Sequence, residues 1–195
     1  MTKYILNGGM TRIPCESNDN FFKEIITSVK KPVKVLLVFF AAERKRWPEL
    51  EEEHKEKFFS RANGKKIEFG IASVDVKKFI QQVGWCDVVY IRGGLTPVLQ
   101  KQLEKVPNFK DLIKNKIVAG SSAGALVFAK YYYEQDYDKI FEGLGYLPVK
   151  MITHYLCSGE YAATSGKDKL KILENYKEKL PIYAIPETEF IIVEK

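Results

Sequence analysis

The sequence predicts an α/β fold in which helices cover both faces of a mostly parallel sheet. Apolar runs rich in β-branched residues alternate with segments whose apolar residues follow helical spacing. Short loops that contain glycine join these segments, as in βαβ units. The run 33–40 is nearly continuously apolar, which is typical of a parallel strand covered on both faces. Ligand sites of open α/β sheets lie at the carboxyl ends of the strands, so the loops at that edge are the candidates for function.

The composition is that of an ordinary globular protein. The chain has 195 residues, of which 46% are apolar and 29% are charged, and we expect a single domain over 1–195. The net charge of +6 comes from lysines spread along the chain. These lysines form no dense basic block, and neither zinc-finger spacing nor an RNP-type motif occurs. A solvated basic surface is therefore favoured over a nucleic-acid site.

The three cysteines, Cys15, Cys86 and Cys157, are widely spaced and form no C-x-x-C motif. This pattern predicts neither a disulfide framework nor a zinc site, and it fits a reducing cytoplasm. The first nine residues lack the apolar region of a signal peptide, and the longest apolar runs are far shorter than a membrane span. We therefore expect a soluble cytoplasmic protein without a membrane partner.

In the first part of the chain, predicted strands and helices follow each other regularly. His54 lies within a run of charged residues and is predicted to occupy a solvated helix face. The predicted elements are a strand at 4–6, a helix capped by Asn18-Asp19-Asn20 and ended by Lys31-Pro32, a strand at 33–40, a helix at 48–59, a strand at 66–73, a helix at 74–83, a strand at 87–91, and helices at 97–103 and 109–113.

Beyond residue 130 the pattern is less regular. Residues 131–138 are predicted to form a polar and aromatic excursion from the regular pattern. The other predicted elements are a loop at 143–148, a strand at 149–155 that carries His154, a basic amphipathic surface helix at 166–179, and strands at 182–185 and 190–193.

The stretch 117–128 carries the strongest functional signal. It begins as an apolar β-branched run, turns on small residues and continues as an apolar, helix-compatible run. Within it, Gly120-Ser121-Ser122-Ala123-Gly124 matches G-x-S-x-G, the nucleophile elbow, in which a strained strand-to-helix turn holds a serine hydroxyl above the end of a sheet. The glycines permit the tight turn and the close approach of the helix to the strand. We therefore predict that Ser122 is a nucleophile.

A serine nucleophile needs a base that accepts its proton and a group that orients the base. The sequence contains only two histidines, and since His54 is predicted to be solvated, His154 is the candidate base. Glu187 follows a predicted strand end and could hold His154 in the correct tautomer, although its position alone is more typical of an exposed turn carboxylate. The order serine, histidine, acid differs from the order in α/β-hydrolases, which disfavours that fold.

The oxyanion of a serine hydrolase needs backbone N–H donors near the nucleophile. The first candidate is the N–H of Ala123, which directly follows Ser122. The second is an N–H of Gly93 or Gly94, in the glycine loop after the predicted strand 87–91.

Together these motifs resemble the peptidase E and cyanophycinase family of aspartyl-directed serine peptidases, which is similar in fold to class I glutamine amidotransferases. The resemblance rests on the opening strand with Gly8-Gly9, on 88–96, on 120–125, on 143–145 leading to 153–155, and on 185–187. It implies a three-layer α/β sandwich, Ser122 as nucleophile, His154 as base and a short peptide as substrate. No cofactor and no metal are expected, and the oligomeric state stays open, with a homodimer as one possibility.

Three departures from the family pattern bear on specificity. Leu95 stands where the family usually has asparagine, next to Thr96, and both are candidate substrate contacts. No arginine follows Arg92, so Lys167 or Lys169 would have to replace the basic residue that the family uses to bind the substrate's aspartate carboxylate. The chain stops at Lys195, soon after Glu187, so closing strands are expected to be short or missing.

The predicted function is hydrolysis of short peptides by a serine peptidase, with α-aspartyl dipeptides as the first candidate substrates. Two alternatives remain open from the sequence. The same fold could bind a small anionic ligand without catalysis, which Leu95 and the missing arginine motivate. An amidase or acyl hydrolase with a non-peptide substrate would use the same catalytic residues.

Overall fold

The computed structural model describes residues 1–30 and 32–195, and strands alternate with helices through the first two thirds of this part of the chain. The strands are β1 (Lys3–Asn7), β2 (Val33–Val38), β3 (Ile67–Ile71), β4 (Val88–Ile91), β5 (Ile117–Ser121), β6 (Ala129–Glu134), β7 (Lys139–Glu142), β8 (Leu147–Ile152), β9 (Ile182–Ala184) and β10 (Phe190–Glu194). The α-helices are α1 (Glu16–Thr27), α2 (Trp47–Phe59), α3 (Val76–Trp85), α4 (Thr96–Leu103), α5 (Phe109–Leu112), α6 (Ala123–Leu126) and α7 (Lys167–Glu174).

The central sheet has six strands in the order β10-β1-β5-β4-β2-β3. Five of them are parallel, and β10 pairs antiparallel with β1 at one edge. One face packs on Phe21, Phe22 and Phe58 from α1 and α2, and the other packs on Phe79 and Phe109 from α3 and α5. Because both faces are covered, the inner strands are mostly apolar. The predicted α/β class with a mostly parallel sheet is confirmed.

The register of the central strands brings their carboxyl ends together. Asn7 at the end of β1 pairs with Ser121 at the end of β5, and Ile91 at the end of β4 pairs with Gly120. The loops that follow these three strands therefore lie side by side at one edge of the sheet. This is the edge where open α/β sheets bind ligands.

A second sheet, in the order β7-β6-β8-β9, corrects the interpretation of residues 131–138. Tyr132 and Met151, on its strands β6 and β8, are fully buried in the main core. The first half of the polar and aromatic segment, 131–134, is thus part of a strand with buried aromatic rings, and Gln135–Tyr137 form a 3-10 turn. Because β8 ends at Ile152, His154 lies two residues beyond the strand that was predicted to contain it.

Several predicted helix ends are wrong. Helix α1 begins at Glu16, so Asn18 lies inside it, where its buried amide donates to the carbonyl oxygens of Met10 and Ile13. Asn18 thus stabilises the loop before the helix through these two hydrogen bonds instead of capping the helix. The helix ends at Thr27, before the predicted stop at Lys31-Pro32, and Lys31 lies outside the described residues.

Two further helices are shorter than predicted. Helix α6 makes a single turn after Ser122 before the chain continues into β6. Helix α7 covers only Lys167–Glu174 of the predicted 166–179. The last predicted strand, at 190–193, is confirmed as β10, which pairs with β1 along five residues.

His54 is buried, contrary to its predicted solvated position. Its side chain faces inward with Leu50 and Phe58 of α2, and its ring packs against Phe39 and Tyr90. Its Nδ1 lies 2.7 Å from the Leu50 carbonyl oxygen, which can only accept, so Nδ1 carries the proton. Burial lowers the pKa of His54 to about 4, so the imidazole is neutral near neutral pH.

Candidate active site

Ser122 stands in the turn between β5 and α6 with φ 52° and ψ −114°, a conformation that non-glycine residues rarely adopt. Its N–H donates to the Asn7 carbonyl oxygen at 2.9 Å. A Cβ at Gly120 would overlap the Gly124 carbonyl oxygen, and a Cβ at Gly124 would overlap that of Ile91. The two glycines of the motif are therefore required sterically, because the helix packs backbone to backbone on the strands.

The structure brings Ser122, His154 and Glu187 together in one chain of hydrogen bonds. The Ser122 Oγ lies 3.0 Å from His154 Nε2, and His154 Nδ1 lies 2.8 Å from Glu187 Oε1. A carboxylate can only accept, so Nδ1 carries the proton and Nε2 is free to accept the serine proton. The His154 side chain is 8% exposed and the Glu187 side chain 24% exposed, so these hydrogen bonds are partly shielded from water.

The segment Asn7-Gly8-Gly9 connects the loops that carry these side chains. The Gly8 carbonyl oxygen accepts from the His154 N–H at 2.9 Å, and the Gly9 carbonyl oxygen accepts from the Thr188 N–H at 2.9 Å. The Asn7 side chain, fully buried, accepts from the Gly9 N–H at 2.8 Å and donates to the Thr188 carbonyl oxygen at 3.2 Å. From the sequence, Gly8-Gly9 was predicted to follow the opening strand and was one motif of the family resemblance, but no contact with His154 or Thr188 was predicted.

Positive φ angles of non-glycine residues cluster around the site. Such conformations cost free energy, on the order of 1–3 kcal/mol each, and persist where the surrounding structure holds them. The residues concerned are Met10, Ser122, His154, Leu156 and Thr188.

The predicted oxyanion donors lie next to the serine. Gly93 and Gly94 line the same cleft as Ser122, and a Cβ at Gly93 would lie 3.0 Å from the Ser122 Cβ. In the described part of the chain, neither glycine N–H donates a hydrogen bond. Ala123 is fully buried behind Ser122, at the first position of α6.

The cleft around Ser122 has a volume of about 620 Å³ and is strongly charged. Glu134 is 3% exposed, and burial raises the pKa of its carboxyl to about 7. The lining side chains that carry or can carry charge are Arg12, Glu43, Lys45, Arg46, Glu53, Arg92, Glu134, Asp136, Glu160 and the two histidines.

The predicted substrate contacts are only partly in the cleft. Leu95 lines it and is 42% exposed, whereas Thr96 is fully buried beside the Glu134 carboxyl. Lys167 and Lys169 are not among the lining residues, and the Lys169 ammonium is 2.8 Å from an Asp138 carboxylate oxygen. The structure therefore does not bring the two lysines to Ser122.

Sequence reasoning missed the cations that line the cleft. Arg92 was noted only as the last arginine, although its position directly before Gly93-Gly94 was a signal that it lies at the edge of the site. Arg12 and Arg46 follow β1 and β2, which end at the same edge of the sheet.

Within residues 1–30 and 32–195, no cluster of three or more His, Cys, Asp and Glu side chains could hold a metal ion. The same residues include no helix with the length and apolar character needed to span a membrane. All three cysteines are free.

Comparison with known proteins identifies the family. The model of peptidase family S51 matches residues 5–195. A crystal structure of a peptidase from an acI-B1 actinobacterium is similar, with a TM-score of 0.68, 21% identity, and coverage of 99% of this chain and 83% of the other. A peptidase E protein from Listeria monocytogenes EGD-e is similar with a TM-score of 0.69, 17% identity, and coverage of 100% and 96%. The search of curated proteins found no match. The chain therefore belongs to peptidase family S51 and is a serine-type peptidase.

Proposed function

We propose that this peptidase cleaves short peptides through a Ser122-His154-Glu187 triad, with Ser122 held in a nucleophile elbow. The observation that supports the proposal is the pair of hydrogen bonds, at 3.0 and 2.8 Å, that links the serine hydroxyl through the imidazole to the carboxylate. Ser122 lies in an open cleft, so a peptide can reach its Oγ.

In the proposed reaction the Ser122 Oγ attacks the carbonyl carbon of the scissile peptide bond while its proton passes to His154 Nε2. Glu187 accepts the Nδ1–H hydrogen bond and stabilises the imidazolium that forms. The N–H groups of Ala123 and of Gly93 or Gly94 stabilise the oxyanion. Each such donor typically contributes about 100- to 1000-fold in turnover.

The tetrahedral intermediate then collapses. The peptide C–N bond breaks, and the leaving amine takes the proton from His154. Water attacks the resulting acyl ester of Ser122 while His154 takes its proton, and His154 returns that proton to the Ser122 Oγ as the ester bond breaks and the acid is released.

The proposed substrates are α-aspartyl dipeptides. The described lining of the cleft holds acidic as well as basic side chains, and among the basic ones the half-buried Arg92 supports an acidic peptide, because a partly desolvated positive charge favours a negatively charged ligand. An acyl hydrolase acting on non-peptide substrates would use the same triad, and a substrate panel separates the two.

The test is hydrolysis of a panel of N-terminal aspartyl dipeptides, with amides and esters of aspartate beside them, by the wild type and by Ser122→Ala. We expect Ser122→Ala to lower turnover by roughly 10⁴-fold or more. Ser60→Ala, an exposed hydroxyl at the end of α2, is the matched control and should retain activity. Unchanged turnover in Ser122→Ala, or failure of a fluorophosphonate to label Ser122, would refute the triad.

A further inference from the structure

The cleft contains one half-buried guanidinium, that of Arg92, which follows β4 directly. Its Nη1 donates to the Gly93 carbonyl oxygen at 2.8 Å, which fixes the side chain against the glycine loop. It forms no ion pair with any of the residues that the structure describes. Burial lowers the pKa of Arg92, but an arginine stays protonated in proteins, so the charge is present and unpaired.

The carboxylates near Arg92 already have other partners. Glu53 pairs with the Lys57 ammonium, and Glu49 lies 3.3 Å from an Arg46 guanidinium nitrogen. The neutral His54 adds no charge, and its buried Nε2 has no hydrogen-bond partner among the described residues, so it takes no Arg92 donor. The remaining donors of the Arg92 fork are therefore not used by the protein itself.

The other cations of the cleft differ from Arg92. Lys45 is exposed and lies 2.7 Å from a Glu43 carboxylate oxygen, and Arg12 is exposed. The acidic lining residues Asp136 and Glu160 come from the segments after β6 and β8, whereas Arg92 belongs to the edge of the central sheet. An anionic group of a ligand thus has a preferred, partly desolvated position beside Arg92.

This position is close to the nucleophile. A Cβ at Gly93 would lie 3.0 Å from the Ser122 Cβ, and Arg92 is one residue, about 3.8 Å of chain, further back. A guanidinium at the end of a long side chain can reach a group borne by either residue that flanks the scissile bond.

We propose that Arg92 is a specificity-determining residue that binds a carboxylate of the peptide substrate. The proposal rests on the proposed function for the identity of the ligand as a short peptide. The carboxylate has two possible sources, the side chain of an N-terminal aspartate or the C-terminus of the leaving residue. A planar guanidinium binds either one through two parallel N–H···O bonds.

Calorimetric titration of the Ser122→Ala protein tests the proposal without hydrolysis. The probes are Asp-Ala, Asn-Ala, which lacks the side-chain carboxylate, and Asp-Ala-amide, which lacks the terminal one. Adding Arg92→Gln should weaken Asp-Ala binding by about 10- to 100-fold, since a charge-assisted hydrogen bond is lost. Arg92→Lys should restore part of the affinity, because it keeps the charge without the fork. Arg44→Gln is the charge-matched control, because Arg44 is exposed, lies over the Trp47 ring and does not line this cleft.

If Arg92 binds the side-chain carboxylate, Arg92→Gln should leave the affinity for Asn-Ala unchanged, because that peptide lacks this group. If Arg92 binds the C-terminal carboxylate, Arg92→Gln should instead leave the affinity for Asp-Ala-amide unchanged. Equal affinities in the Arg92→Gln and Arg44→Gln proteins would overturn the proposal, as would failure of all three peptides to bind. Hydrolysis by the protein with Ser122 intact is scored separately. Binding that depends on Arg92 without hydrolysis would refute the proposed function and support the role of Arg92. Hydrolysis with binding that does not depend on Arg92 would support the proposed function and refute the role of Arg92.

Discussion

Replacing Glu134 by glutamine should change the pH dependence of folding stability. Glu134 is 3% exposed, and one of its carboxylate oxygens, Oε2, has no hydrogen-bond partner among the described residues. Burial therefore penalises the charged form and raises the pKa of this carboxyl from 4.5 to about 7 in the folded protein. In the unfolded chain the same carboxyl ionises near its ordinary pKa.

The sign follows from proton counting. Between the unfolded pKa of 4.5 and the folded pKa of about 7, the native state binds a proton that the unfolded state has released, so stability falls as pH rises. The contribution is fully present below 4.5 and is lost as pH rises through about 7. At about 1.36 kcal/mol per pKa unit, the loss between about pH 5 and about pH 8 is on the order of 2–3 kcal/mol.

Urea unfolding of the wild type and Glu134→Gln at these two pH values measures the effect. Any pH-independent cost of the buried amide cancels when the difference between the two proteins is compared across pH. Relative to the wild type, we expect the unfolding free energy of Glu134→Gln to rise by about 2–3 kcal/mol from about pH 5 to about pH 8, or roughly 5–10 °C in Tm. A difference between the proteins that is the same at both pH values would refute the reasoning.

Two further predictions concern the triad. Glu187→Gln should lower kcat by about 100- to 10,000-fold with little change in KM, because the amide no longer stabilises the imidazolium of His154; steady-state kinetics measure this, and a loss below about 10-fold would contradict it. Gly9→Ala should also lower kcat, because its Cβ would overlap the His154 ring at a backbone φ of +116°. Gly84→Ala is its control, since a Cβ there has nothing within 4 Å. Equal kcat values in the two alanine variants would show that the ring tolerates displacement.

Local patterns were sufficient where one physical requirement determines the residue type. The strand β2 is covered on both faces and is therefore nearly continuously apolar, so its composition alone predicts a buried parallel strand. The glycines at 120 and 124 are required because the backbones of α6, β4 and β5 are in contact. His54 also carried a local signal, because it shares one helix face with Leu50 and Phe58 at a spacing of four, but the surrounding charges obscured it.

Other features depend on contacts between distant segments. Residues 129–134 form a strand because β7 and β8 pair with them, because the Tyr132 ring packs in the main core, and because the Tyr131 and Tyr133 rings pack in a smaller cluster on the other face. No local pattern states that a second sheet will supply those partners. Asn18 resembles a helix cap in sequence, yet its amide bonds the loop before the helix, since the helix begins two residues earlier.

By itself the sequence determined the α/β class, the identity of Ser122, His154 and Glu187 as candidates, and the family resemblance, because spacing and residue type encode strands, helices and tight turns locally. Only the tertiary structure decided which carboxylate lies 2.8 Å from His154, that Lys167 and Lys169 lie away from the cleft, and that Arg92 lies in it unpaired. These are distances between residues far apart in the chain. They are determined by strand register and by the packing of loops at one sheet edge, which no local pattern contains.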